Sequence, residues 1–251
     1  MNGDNEAGGF ILVPLPLLAT GWTMGEVMNH AFAYSAERLV ITLDDHEDIA
    51  EDQEPSELYA RALKKIGMKF PSIPPEELPS RIQAWHETVA TVLESYAEMN
   101  PPKWASVYGA IPTEIALALA NDKWPENRGR ALIAIASIIG IKDYVFAGWA
   151  TVAHRAAGYV WKPRRFRLPL GNQNSPEPKL MSRSQIDYQL KVLRKLTLVE
   201  SFTYKRGKRC WCFPGRCTRE EMARSVILKQ RANQRERDSE LAARIEAQLS
   251  P

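Results

Sequence analysis

The segment Arg183–Lys195 limits the fold more than any other part of the chain, because its apolar spacing fits only one regular structure. Ile186, Leu190 and Leu193 fall at i, i+4 and i+7, so they share one face of a helix. Ser182 stands directly before the segment, and serine is a preferred residue at helix N-termini. The sequence therefore predicts a capped amphipathic helix whose apolar face packs on other elements.

The opposite face of this helix is polar and basic. At about 100° per residue, it carries Ser184, Tyr188, Lys191 and Lys195. Hydroxyl, phenol and ammonium groups are suitable partners for base edges and phosphates. A helix whose polar face is simply solvated is the alternative. The hairpin that follows the helix and the surrounding charge favour contact with nucleic acid.

The next stretch, Ser201-Phe-Thr-Tyr-Lys-Arg-Gly-Lys-Arg-Cys-Trp-Cys-Phe-Pro214, is predicted to be a hairpin with a basic tip. With Arg206-Gly207 as a two-residue turn, Phe202 pairs with Trp211, and both rings cover the core. The two cysteines of the stretch then lie on the opposite face as small strand residues.

Two helical stretches precede the capped helix. Residues 128–139 (RGRALIAIASII) form an apolar run, and residues 148–158 form a short helix stopped by a glycine. Residues 162–179 are rich in Pro, Arg, Asn and Gly, which predicts a loop. Helix, short helix, capped helix and two-armed hairpin follow in the order of a winged helix-turn-helix.

The N-terminal half repeats part of this pattern. Trp22 and Trp124 each precede a helix, Ser80 and Ser182 each begin a similar Ser-Arg-x-Gln motif, and both pairs are 102 residues apart. We therefore predict a mainly α fold with small β wings, of the α+β class. Its parts are a degenerate winged-helix-like assembly domain (residues 1–105), a DNA-binding winged-helix domain (106–218) and a C-terminal helical tail (219–251).

Charge is divided unequally between the halves. Residues 37–98 hold 14 acidic and 6 basic side chains, whereas residues 161–235 hold 19 basic and 5 acidic ones. A split of this kind suggests that the C-terminal half meets a polyanion and that the N-terminal half does not.

The pattern resembles the tandem winged-helix replication initiator proteins of plasmids and phages. The resemblance rests on the strand openings Val13-Pro14 and Ile111-Pro112, the short helix Trp149–Gly158, and the recognition-helix pattern from Ser182 to Val199. It implies a protein that binds origin repeats, with Arg183–Lys195 in the major groove and the hairpin as the wing. This chain departs from the family in its long loop at 162–179 and in the acidic helix of its first half.

The expected contacts with DNA divide into base reading and phosphate holding. Base-reading residues are Ser184, Gln185, Tyr188 and Lys191. Phosphate-holding residues are Arg183, Arg194, Lys195, the wing cations Lys205, Arg206, Lys208 and Arg209, and the loop cations Lys162, Arg164, Arg165 and Arg167. A solvated loop is the alternative for the last four.

The helix after Ser80 carries Glu87, Glu94 and Glu98, and these carboxylates would repel phosphate. We expect it to pack or to contact a partner, although its apolar residues could equally fill the domain's own core. The expected partners are double-stranded DNA and either a second copy of the chain or a replication or transcription factor. That protein contact is assigned to residues 1–105 or to the C-terminal helix.

Other functions remain open alternatives. The same DNA chemistry would serve a transcriptional regulator, and a basic face would also suit a protein-interaction module. Asp44-Asp-His-Glu-Asp48 offers ligands for a nuclease metal, but the acidic run has no fixed ligand spacing. Cys210, Cys212 and Cys217 would lack a nearby fourth zinc ligand. No phosphate-binding glycine loop or hydrolase motif is present, so we predict neither catalysis nor a cofactor.

The setting is expected to be the cytoplasm. Three neighbouring cysteines do not make a disulfide framework, which indicates a reducing compartment. The apolar stretch Phe10–Leu18 is short, contains two prolines and follows acidic residues, so it is a poor signal peptide. No membrane association is expected, because no apolar run reaches the roughly 20 residues a membrane helix needs.

Overall fold

The computed structural model describes residues 9–43, 55–65, 67–70, 73–99, 106–160, 180–204 and 208–249. These residues are mainly helical and include two small antiparallel sheets, as expected for the α+β class. The helices are α1 (Met24–Leu43), α2 (Pro55–Lys65), α3 (Leu78–Met99), α4 (Thr113–Ala120), α5 (Glu126–Ile139), α6 (Trp149–Ala156), α7 (Arg183–Lys195) and α8 (Arg219–Leu249), and a 3-10 helix spans Leu15–Ala19. The strands are β1 (Phe10–Pro14), β2 (Tyr108–Pro112), β3 (Val145–Phe146), β4 (Glu200–Tyr204) and β5 (Lys208–Cys212).

The two strand openings that the sequence marks as similar pair with each other. β1 and β2 are antiparallel, and Ile11 lies opposite Ile111 at the centre of the ladder. Both isoleucines are fully buried, as is Val13. Gly109 faces Val13 across the ladder, and a Cβ at this glycine would come within 2.4 Å of the Ile133 carbonyl oxygen. The glycine therefore lets α5 pack closely on the sheet.

Each half of the chain contains three helices that contact one another. In the first half these are α1, α2 and α3, and in the second half α5, α6 and α7. α4 packs on α1, whereas the 3-10 helix packs on α5 and α6, so each half contributes an element to the other. This exchange joins both halves around one buried cluster that runs from Ile11 to Trp211.

The second sheet has the strand order β3–β5–β4 and is antiparallel throughout. Trp211 of β5 is buried in the main cluster with Ile186 and Leu190 of α7, so one face of this sheet covers the core. Cys210 and Cys212 occupy the other face, because neighbouring strand residues point to opposite sides. The predicted placement of these two cysteines away from the main core is confirmed.

The predicted register of the hairpin is wrong. Phe202 pairs with Cys210, and Ser201 is the residue opposite Trp211. The connection between Tyr204 and Lys208 comprises residues 205–207, one residue more than the predicted two-residue turn. A shift of one residue moves a side chain to the other face of the sheet. Phe202 therefore packs with the cysteines and not with Trp211.

Arg130 of α5 ties the two halves together. Its guanidinium donates hydrogen bonds to the carbonyl oxygen of Leu18 at 2.9 Å and to that of Ala156 at 3.3 Å. Glu126, one turn earlier on α5, accepts a 2.7 Å bond from Arg130 Nε, which balances a charge that is largely buried. Residues on both sides of position 105 thus share a sheet, a core and this polar link. The division into domains at that position stays a prediction.

α8 is long, as the sequence predicts, and its first turns are not free. Met222 and Val226 are buried against Cys210, Cys212 and Cys217. The Ser225 hydroxyl also lies 2.8 Å from the hydroxyl of Tyr144, the residue before β3. The start of α8 therefore covers the face of the β3–β5–β4 sheet that lies away from the main core.

Candidate nucleic-acid interface

Helix α7 begins where its sequence predicts, and it turns the predicted apolar residues inward. Ser182 is the N-cap: its hydroxyl accepts a 3.3 Å hydrogen bond from the Gln185 amide, and its own amide donates to Gln185 Oε1 at 2.8 Å. Ile186, Leu190 and Leu193 are buried against the preceding helices. This capping box and apolar face fix both the start and the rotation of the helix.

The residues of α7 that are predicted to contact DNA all lie at its surface. Tyr188, a large aromatic residue, is 59% exposed. Exposed with it are Arg183, Ser184, Gln185, Lys191, Arg194 and Lys195. The structure therefore brings seven of the predicted site residues together on one helix. Gln185 differs from the rest because its side-chain oxygen is engaged in the N-terminal cap.

An acidic residue that the sequence analysis did not select stands beside this face. Asp187 Oδ2 lies 3.8 Å from Arg183 Nε, and Asp187 Oδ1 lies 3.5 Å from a terminal guanidinium nitrogen of Arg209. All three side chains are substantially exposed, so each ion pair contributes little stability. The pairs do connect α7 to strand β5. Arg209 of β5 therefore lies beside α7.

A groove of about 500 Å³ runs between α7, the start of α6 and the β3–β5 strands. Arg183, Asp187 and Arg209 line it together with Phe146 and Trp149, which are each 44% exposed. The two aromatic residues are additions to the predicted site. In the sequence, Trp149 stands out only as the first residue of the short-helix pattern, and no pattern marks Phe146. The groove places aromatic and cationic groups next to the polar face of α7.

The remaining predicted contacts are distributed as follows. Lys162, Arg164, Arg165 and Arg167 of the loop, and Lys205 and Arg206 of the wing tip, lie outside the described residues. Lys208 is the first residue of β5, and Arg209 follows it with an exposed side chain. The described part of the candidate interface is thus α7, the groove and the start of β5.

The three cysteines are free thiols in a buried setting. Burial raises the pKa of Cys210 to about 11 and that of Cys212 to about 12. Burial also raises the pKa of Cys217. Thiols with such pKa values are protonated at neutral pH, and the thiolate is the form that binds metals and attacks electrophiles. This arrangement suits packing under α8.

No group of three or more histidine, cysteine or acidic side chains is placed to hold a metal ion in the part of the chain that the structure describes. The acidic run Asp44–Asp48 lies outside that part. Among the described helices, none combines the length and apolar character needed to cross a membrane.

Comparisons of the chain with protein-family models, with curated proteins and with solved structures found no match.

Proposed function

We propose that this chain is a sequence-specific, non-catalytic protein that binds double-stranded DNA through a winged helix in its second half. The exposed polar face of α7, held beside Arg209 of β5, is the observation that carries the proposal. Contacts among α5, α6 and α7 and the strand order β3–β5–β4 support a winged-helix arrangement. In it α7 is the recognition helix, and β4 and β5 are the wing.

The proposed DNA contacts would be of two kinds, contacts to base edges and contacts to phosphates. Ser184, Tyr188 and Lys191 project from the centre of the exposed face and would meet base edges in the major groove. Arg194 and Lys195, in the last turn of α7, would meet phosphates with the wing cations. Gln185 would serve first as a capping residue, since its oxygen is already bound to the Ser182 amide.

The first half supports replication initiation as the particular role. Its helices α1, α2 and α3 contact one another as α5, α6 and α7 do, and the paired strands β1 and β2 open the two halves. This arrangement favours a duplicated winged-helix architecture, which the resemblance to plasmid and phage initiators implies. The exposed carboxylates Glu87, Glu94 and Glu98 of α3 would repel phosphate. We therefore assign protein contacts, and not DNA contacts, to the first half.

The DNA-binding assignment is tested by Tyr188→Ala combined with Lys191→Ala. We expect roughly a 30-fold or greater loss of affinity for the specific site, because each base contact contributes about 1–3 kcal/mol. Fluorescence anisotropy at near-physiological salt measures it. Lys64→Ala, an exposed lysine on α2, is the control and should leave affinity unchanged. Unchanged affinity of the double variant would show that α7 is not the recognition helix.

The salt dependence and the target separate the remaining functions. Each lost phosphate contact should reduce the slope of log affinity against log salt by about 0.9, so Arg194→Ala should have a shallower slope than Lys64→Ala. Footprinting on DNA that flanks the coding sequence identifies the target. Protection of tandem repeats in an AT-rich region would support initiation, whereas a single promoter palindrome would indicate a transcriptional regulator.

A further inference from the structure

Most of α8 has no described contact with the rest of the chain. Met222 and Val226 dock its first turns, but every described side chain from residue 227 to residue 241 is exposed. Ile227 is 44% exposed, and Leu228 is 64% exposed. A long helix that is mostly polar and leaves such apolar side chains uncovered is typical of a segment that bridges to another surface. Residues 227–241 of α8 are therefore a candidate contact surface for a partner.

One face of α8 is a stripe of arginines. Arg224, Arg231 and Arg235 follow at i, i+7 and i+11, so at about 100° per residue they point within about 40° of one another. All three are exposed. Met222 and Val226 point the opposite way, into the sheet. The arginine stripe consequently faces away from the β3–β5–β4 sheet.

Helix α3 carries a stripe of opposite charge with the same spacing. Glu87, Glu94 and Glu98 also follow at i, i+7 and i+11, and all three are exposed. The buried residues Val89 and Tyr96 lie on the opposite face. This acidic stripe therefore faces solvent, like the arginine stripe.

We infer that α8 of one copy of this chain packs parallel to α3 of a second copy. In that register Arg224 meets Glu87, Arg231 meets Glu94, and Arg235 meets Glu98. An antiparallel pair would not match, because the longer interval would then face the shorter one. Leu228, between the first two arginines, would lie against Thr91, and the nearby Ala84 and Ala90 allow close approach.

The position of the arginine stripe favours a second copy of the chain as its partner over a duplex bound at α7. Trp211 and α7 lie on one side of the β3–β5–β4 sheet, whereas α8 lies on the cysteine side. Because the stripe faces away from the sheet, it is turned away from a duplex bound at α7. The acidic stripe on α3 repels phosphate but complements arginine. A contact between two different surfaces of identical chains also leaves one free stripe at each end, so further copies could add in a row.

Charge reversal tests the pairing without DNA. We expect Arg231→Glu and Glu94→Arg each to weaken self-association at least about tenfold, because each places like charges opposite one another. The double variant Arg231→Glu with Glu94→Arg should regain the association of the parent chain. Sedimentation velocity over a range of protein concentrations at low salt measures it, and added salt should weaken the parent association.

Control variants lie on the same helix but outside the stripe. Arg237→Glu and Glu240→Arg change exposed residues on other faces of α8 and should leave self-association unchanged. Circular dichroism confirms that each variant is folded. A parent chain that stays monomeric, or a double variant that does not regain association, would overturn the pairing. Loss of DNA affinity in Arg231→Glu with unchanged self-association would likewise overturn it, because the stripe would then be a phosphate contact.

Discussion

Thr197 shows how a single residue carries strain next to the candidate interface. It follows α7 and has a φ of 56°, in the left-handed region that β-branched residues rarely adopt. Its amide donates to the Arg194 carbonyl at 3.1 Å, and the Leu198 amide donates to the Leu193 carbonyl at 3.1 Å. These two bonds form the helix ending in which glycine is the usual residue. The turn from α7 to β4 therefore keeps a strained threonine.

Replacing this threonine should stabilise the protein. Left-handed backbone costs a side chain about 1–2 kcal/mol, and glycine loses roughly 0.5–1 kcal/mol more backbone entropy on folding. We expect Thr197→Gly to raise the free energy of unfolding by roughly 0.5–1 kcal/mol, measured by urea denaturation. Thr197→Ala keeps the Cβ and should change stability less. Destabilisation by the glycine would mean that the Thr197 hydroxyl, which donates to the Leu196 carbonyl, outweighs the strain.

At the scale of elements, α8 begins at a side-chain cap that places its first turns over the cysteine face of the β3–β5–β4 sheet. Thr218 caps this helix by accepting from the Glu221 amide at 3.2 Å, while its own amide donates to the Glu221 carboxylate at 2.8 Å. The first turns then cover Cys210 and Cys212. Phe202 joins this second cluster only because the three-residue connection shifts the hairpin register.

Loosening the start of α8 should expose these thiols. We expect Met222→Ala with Val226→Ala to increase the rate at which iodoacetamide modifies Cys210 and Cys212 at pH 8, because both cysteines lie beneath these side chains. In the parent chain, burial and pKa values of about 11 and about 12 keep labelling slow. Mass spectrometry of labelled peptides gives the rates. Leu228→Ala, two residues further along and 64% exposed, is the control. Equal rates in all variants would contradict the role of α8 as a cover.

The whole molecule is held together across its two halves by close backbone approach. Gly158, two residues after α6, has a φ of 87°, and a Cβ there would come within 2.6 Å of the Ala19 amide nitrogen. Arg130 adds hydrogen bonds to Leu18 and Ala156 at the same junction. With a shared sheet and core, these contacts predict that both halves unfold together.

Gly158→Ala tests this junction. We expect it to cost about 1–3 kcal/mol more than Gly215→Ala, because it adds a steric clash of the overpacking kind. Gly215 has a similar φ of 73° but open space around it, so its substitution isolates the backbone strain. Urea denaturation followed by circular dichroism and by tryptophan fluorescence should give one coincident transition for the parent chain. Two separate transitions would show that the halves fold as independent domains.

The sequence alone determined the local features of the candidate interface. Helical spacing placed Ile186, Leu190 and Leu193 inside and Tyr188 and Lys191 outside, and the N-cap at Ser182 is where the pattern predicted it. These features depend on residues within one or two turns of each other, so one segment contains all the information they need. The bounds of α7 and the exposure of α8 beyond its first turns follow for the same reason.

Only the tertiary structure decided what depends on distant partners. The antiparallel pairing of β1 with β2 joins the two halves of the chain, the Arg209–Asp187 contact joins β5 to α7, and the burial of the cysteines joins β5 to α8. Each of these contacts is made between separate elements. The hairpin register also escaped prediction, because a one-residue difference in turn length moves Phe202 to the other face. Spacing within a segment sets which residues share a face, but the packing of other segments sets what that face meets.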